Sequence, residues 1–143
     1  MAETLTLWTV QETAVTDAER GRLAECEAVI ERGLKTFVDV GNGLSYSNIG
    51  QISQYFSSLI FLDVFGNEKG FYSPSQTEII LTTFMDNFTI ESFRYKSSSR
   101  YSSYASAKGV YEYRKGSAVS KLNATISLKF KDRNWYIDQI MIN

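Results

Sequence analysis

The chain has 143 residues, one domain's worth, and is long enough to bury a core without disulfide or metal staples. Its formal net charge is −1 with 22% charged residues, which excludes a strongly basic chain steered to nucleic acid and a long acidic tail. Histidine is absent and Cys26 is the single cysteine, so an intrachain disulfide, a cysteine-rich zinc site and any Ser-His or Cys-His nucleophile pair are excluded.

The start, MAETLTLWTVQETAVTD, lacks a basic region followed by an apolar run. No apolar stretch reaches the roughly 20 residues a membrane helix needs. As written the chain reads as soluble and cytoplasmic. A chain trimmed of an export signal would read the same way, so a periplasmic or secreted compartment stays open.

Residues 1–15 read as an N-terminal arm, and 16–143 as one domain. Thr16 to Glu19 (TDAE) has the order of a capping box. Behind it Leu23, Cys26, Ile30, Leu34 and Phe37 line one face of a helix running to about Val40. The glycines in GNG, Gly41 to Gly43, are expected to stop it. Gly33, inside this helix, reads as close packing or as a functional kink. Asn48 is positioned to cap a short helix carrying Ile49, Ile52, Tyr55 and Phe56. LIFLDVFGNEKGFY then reads as a hairpin, with a strand over Leu59 to Phe65 and a return from Phe71.

Ser73, Pro74 and Gln76 give a second capping box with proline at the first helical position. Ile80, Leu81, Phe84, Met85 and Phe88 form the buried stripe behind it. After DNFT the apolar period changes from about 3.6 to 2. IESFRYK, SSYASAKGVYEYRK, AVSKLNATISLKF and NWYIDQIMI are four strands. RKGS and KDRN supply turns, and KSSSRYSS a longer mobile loop. Leu122, Ala124, Ile126, Leu128 and Phe130 alternate with polar residues, as in an antiparallel strand with one wet face. The expected class is α+β: the first helices and one further helix pack on a strongly curved, mainly antiparallel sheet. Such a sheet encloses a cone-shaped pocket.

This order resembles the cone-shaped fold of the nuclear transport factor 2-like and cystatin-like superfamily. Over about Ser47 to Asn143 it also resembles a small bacterial family of unknown function. The matching positions are Gly50, Tyr55 and Phe56; Tyr72, Ser73 and Gln76; and Tyr136, Ile137, Gln139 and Ile140. The resemblance implies an exported protein. It also leads one to expect a His and a Gly soon after Ser92 and Phe93, and neither is present. The first helix is more similar to helices of phage- and plasmid-borne bacterial proteins. That leaves open a chimera joined near Gly43, natural or engineered, beside an ordinary amphipathic helix.

Asp63 is the candidate catalytic residue. Leu59, Phe61, Asp63 and Phe65 share one strand face. If that face lines the cone, Asp63 is a carboxylate in an apolar pocket, the setting of a general acid or base. If Ile60, Leu62 and Val64 face inward instead, Asp63 faces water. Tyr95, Tyr101, Tyr104, Tyr111 and Tyr113 interleave with Arg94, Lys96, Arg100 and Arg114. Tyr95, Tyr104, Tyr111, Tyr113, Arg94 and Arg114 are candidates for ligand binding or for an interface, or, for the tyrosines, for plain sheet packing. Nucleic-acid binding is disfavoured by Glu91, Glu112 and the near-zero charge. Cys26 reads as an inert buried thiol. Asn87 and Asn123 match glycosylation acceptors without a context that uses them. The acidic spacing gives no metal site, and no cofactor is implied.

The leading expectation is a non-catalytic domain. It binds a small apolar ligand or a peptide in its pocket, or forms a homodimer through the sheet. No membrane or nucleic-acid partner is expected. One alternative is a cofactor-free isomerase, dehydratase or hydrolase using Asp63 with Tyr104 or Tyr111. The other is a fusion scaffold.

Overall fold

The computed structural model describes residues 35–143. The N-terminal arm, the Thr16 capping box, Cys26, Gly33 and the stripe from Leu23 to Leu34 lie outside those residues.

Helix α1 occupies residues 35–45 and buries Phe37, Val40 and Leu44 at three- and four-residue steps. Gly41 and Gly43 do not end it. The helix runs through both and gives way at Tyr46 and Ser47, where Ser47 takes φ 52°. The glycines serve close approach. A Cβ on Gly43 would stand 2.5 Å from Ile52 Cγ1 and 2.9 Å from the Asn48 carbonyl oxygen, and one on Gly41 would stand 3.0 Å from the Tyr95 ring. The described helix is thus continuous across position 43.

Helix α2, Ile49–Ser53, buries Ile52. Asn48 precedes it in an extended conformation, but its side chain makes no capping bond. Main-chain bonds close this short turn instead: Asn48 N–H donates to the Gly43 carbonyl at 2.8 Å, and Gln51 N–H to that of Asn48 at 3.2 Å. Tyr55 and Phe56 lie beyond the helix, because the first strand claims Phe56.

The strands are β1 (Phe56–Val64), β2 (Gly70–Tyr72), β3 (Ile90–Arg100), β4 (Tyr104–Lys115), β5 (Ala118–Lys131) and β6 (Asn134–Ile142). Helix α3, Pro74–Asn87, connects β2 to β3. The six strands form one curled, unclosed sheet in the order β2-β1-β6-β5-β4-β3. Every neighbouring pair is antiparallel except β1 and β6. The hairpin turns use left-handed backbone where expected: Gly66 (φ 85°), Gly116 (φ 63°), and Asp132 and Arg133 (φ 52° and 65°). The mobile loop expected over Lys96 to Ser103 is shorter than that. Ser97 to Arg100 pair with Lys108 to Ala105, so only Tyr101 to Ser103 separate the strands. Main-chain pairing does not need apolar side chains, and the serines hid that ladder.

Alternation gives the sheet two unlike faces. Ile60, Leu62 and Val64 of β1, Ala105, Ala107 and Tyr111 of β4, and Ala124, Ile126 and Leu128 of β5 are all buried. The helices cover this inner face. Phe84 and Phe88 meet the rings of Tyr111 and Tyr113 at 5.2 and 5.1 Å between centroids, and Phe37 meets Tyr95 at 6.0 Å. Tyrosine hydroxyls tie the two layers together. Tyr111 Oη donates to the Phe88 carbonyl at the end of α3, and Tyr95 Oη to the Phe37 carbonyl in α1, each at 2.6 Å. Tyr55 Oη donates to the Asp39 carboxylate of α1. Burial, and secondarily that carboxylate, pushes the Tyr55 pKa up to about 12.

The start of α3 matches its sequence. Gln76 N–H donates to Ser73 Oγ (3.3 Å), and Ser73 N–H to Gln76 Oε1 (3.0 Å), with Pro74 in the first turn. Leu81, Phe84 and Met85 are buried behind it.

Two stability predictions follow from these contacts. Ser73→Ala should cost about 1 kcal/mol in urea denaturation. Gly43→Ala gains about 1 kcal/mol of helix propensity, but the added methyl meets backbone as well as Ile52. A net loss of about 1–2 kcal/mol is expected, read as a lower Tm.

Candidate ligand-binding groove on the outer sheet face

The outer face is not uniform, because the alternation slips once in β6. Trp135 and Ile137 are buried, and then Ile140 and Ile142, a spacing of two, three and two. The pairing explains it. Ile137 faces Leu128 of β5 and Gln139 faces Ser127, leaving Asp138 as an extra residue in a β-bulge. The other neighbour loosens at the same level. Phe56 of β1 is matched with Ile137, but the next match is Phe61 with Gln139. Four residues of β1, Ser57 to Ile60, therefore oppose one residue of β6. Ser57 Oγ donates locally to the Leu59 carbonyl at 2.7 Å.

A groove of about 430 Å³ opens at this double irregularity. Its lining includes Phe56, Leu59, Phe71 and Tyr136 on the apolar side and Lys129, Lys131, Asp132 and Asp138 on the charged side. Phe71 and Leu59 are 66% and 54% exposed, large apolar side chains with little cover among the described residues. The Phe71 ring rests against Phe61 at 5.2 Å, inclined 64°.

Thr77 Oγ1 and Ser98 Oγ are shielded without a partner among the described residues, and Asp138 is the carboxylate in that state. The side chain is half-buried, and its Oδ1 is shielded from solvent without a hydrogen-bond partner among the described residues. Most buried polar atoms are paired, so an orphan marks a place with another task. Burial raises the Asp138 pKa above the ordinary carboxylate value, against the opposing pull of Lys129 and of its own backbone N–H. Reading the sequence for reactive groups missed this residue. The spacing of Trp135, Ile137, Ile140 and Ile142 was its signal, since a strict strand would not skip a position.

The residues singled out from sequence are dispersed. Asp63 lies on the outer face, opposite Ile60, Leu62 and Val64, and pairs with Met141. Tyr111 is on the inner face, fully buried, its hydroxyl spent on Phe88 and its pKa pushed up to about 12 by burial. Tyr104 is on the outer face, but its hydroxyl donates to Ser127 Oγ (3.1 Å) and it pairs with Lys129, far along the sheet from the Asp63 row. Asp63 is thus brought together with neither tyrosine. Tyr95 and Tyr113 also turn to the core, and burial raises the Tyr95 pKa. Arg114 faces outward in a bidentate pair with Glu91 at 2.7 and 3.2 Å.

Arg94 does meet Tyr95, with Lys96, Val110 and Lys121, around an open recess of about 690 Å³. Beside it Glu112 accepts from Ser92 Oγ at 2.6 Å, and Lys121 stands 3.7 Å away. The Ser92 bond foremost, then Lys121 and Arg94, holds the Glu112 carboxyl below its usual range.

Comparison with known proteins places this geometry. The profile of a family described as "Domain of unknown function (DUF4783)" matches residues 37–143. A crystal structure of a DUF4783 family protein from Bacteroides uniformis superposes with TM-score 0.66 at 15% identity, covering 73% of this chain and 92% of that one. An NTF-2 like protein of unknown function from Shewanella oneidensis gives 0.55 at 11%, covering 78% and 96%. A protein with a cystatin-like fold from Nostoc punctiforme gives 0.59 at 10%, covering 78% and 86%. At these identities the likeness is one of fold. No curated protein matches the sequence.

The Asp138 environment sets a pH dependence. A carboxyl whose folded pKa is raised binds its proton more tightly folded than unfolded, so stability falls as pH climbs from the unfolded value to the folded one. Above that window the charged group weakens the fold. Asp138→Asn should therefore raise the denaturation midpoint at neutral pH, and its advantage over the parent should shrink as pH falls toward 3.8, the ordinary value, and be gone below it. Denaturation of both chains across the acid range checks this.

Proposed function

This chain belongs to the DUF4783 family, and we propose that it is a non-catalytic binding domain that seats a small ligand in the outer-face groove around Asp138. The observation that carries the reading is the shielded Asp138 Oδ1, held without a partner beside exposed Phe71 and Leu59. The groove volume falls in the range of small-molecule sites. A ligand in the groove would take Phe71 and Leu59 out of water and lie against the Asp138 carboxylate that lines it.

Acid-base chemistry has weaker support. It needs two groups within reach of one substrate, whereas Asp63 and the tyrosines are distributed over different parts of the sheet and the Tyr111 hydroxyl is already engaged. Self-association through the tyrosine-rich strands also loses material, because Tyr95, Tyr111 and Tyr113 turn inward. The outer face of β3 to β5 carries Arg94, Lys96, Lys108 and Lys121 against Glu112, so two copies laid face to face there would meet like charge.

The test uses N-phenyl-1-naphthylamine, an uncharged fluorescent probe of exposed apolar surface, suited to the Leu59 and Phe71 rim. The dye should bind the folded chain saturably. Leu59→Ser combined with Phe71→Ser should remove most of that binding, and Asp63→Asn should leave it unchanged. Undiminished binding in the double variant, or loss in Asp63→Asn, would overturn the placement.

A further inference from the structure

The groove's charges narrow what it can hold, and the narrowing rests on the binding reading above. Asp138 Oδ1 has no donor among the described residues. The Asp138 carboxylate that lines the groove can only accept, so an occupant is best held there by an N–H or O–H. That donor is best uncharged. Lys129 acts electrostatically on Asp138, and Lys131 lines the same groove, so a cationic head group would meet two ammonium groups. An anionic one would meet Asp138 itself and Asp132. A hydroxyl group meets neither objection, because it donates to a carboxylate and accepts from an ammonium.

The apolar side asks for a flat, weakly polar surface. Phe71 presents its ring to solvent while its flank is held by Phe61, and Leu59 stands exposed on the same rim. Adjacent hydroxyls on a ring with an apolar C–H face satisfy both sides of the groove. We propose that it binds an uncharged saccharide. Neighbouring hydroxyls of one sugar residue are held between Asp138 and Lys129, and its C–H face lies on Phe71. The β-bulge supplies the specificity. The extra residue in β6 takes Asp138 out of the ladder with β5, while Ile140 and Ile142 beyond it return to the core.

The experiment is an amide NMR titration of the full chain. The neutral probes are cellotriose, maltotriose and mannotriose. Trigalacturonic acid is the anionic arm and tyramine the cationic aromatic arm. At least one neutral trisaccharide should shift the amides of Leu59, Tyr136 and Asp138 saturably in the millimolar range. Asp138→Ala and Phe71→Ala should each weaken that binding at least about tenfold, the scale of one good hydrogen bond to a charged group. The amide dispersion of each variant reports its folding, and Phe71, being exposed, can be changed without opening the core. If no neutral trisaccharide moves these amides, or if both variants bind as the parent does, the saccharide assignment is wrong. Should tyramine or trigalacturonic acid alone move them, the ligand class falls and the groove reading stands. Should none of the five probes move them, both fall.

Discussion

A strand's side chains alternate, and a six-stranded sheet with helices on one side must keep every strand in phase with that cover. The rest of this structure depends on that constraint. One unmatched residue would turn the apolar row of a strand into water. The chain keeps phase over Ile60 to Val64 of β1, in β4 and in β5, where Leu62, Tyr111 and Ile126 sit in buried series. In β6 it changes phase and restores the core two residues later by leaving Asp138 out of the ladder. The groove is the outer surface of that repair. A β-bulge bends a strand and re-aims a side chain, and here the re-aimed group is a carboxylate in a place too dry for it.

The tyrosines solve a different problem. Covering a curled sheet with helices leaves carbonyl groups near helix ends that water cannot readily reach. Tyr111 brings a large apolar ring into the core and a hydroxyl to such a carbonyl, at Phe88, and Tyr95 adds a hydroxyl bond to the Phe37 carbonyl within α1. Each fills space and sets the distance between layers. Their raised pKa values are a consequence of this burial and give no sign of activation. A phenol already donating to a backbone carbonyl in the core is poorly placed to serve as a proton donor to a substrate.

The two faces therefore divide the work. The inner face holds the fold together, and its polar atoms at Tyr95 and Tyr111 are satisfied within it. The outer face carries the unsettled features: the orphan oxygen of Asp138, the exposed rings around it, and the cationic recess at Arg94 and Lys96. Partial burial of the Asp138 carboxylate costs stability even with Lys129 close by. The saccharide assignment and the pH behaviour of Asp138 are two expressions of that one local cost.

Much of the fold was legible from local rules. The Ser73 capping box, the α3 stripe, the β5 alternation and the turns at Gly116 and Asp132 are each set by neighbours a few residues away. Gly41 and Gly43 were misread because a helix stop and a close approach use the same residue. The choice between them lay with Ile52 and Tyr95, the latter more than fifty positions along the chain. The site was less legible for the same reason. The sequence by itself determined which strands exist, which side chains can alternate, and that no histidine or cysteine pair could act. Only the tertiary structure decided that Asp63 would face outward and that Tyr111 would be spent on Phe88. It also decided that Asp138 would fall between a bulged β6 and a departing β1. Those outcomes depend on the register between strands distant in the chain, and register is fixed by the core that all of them share.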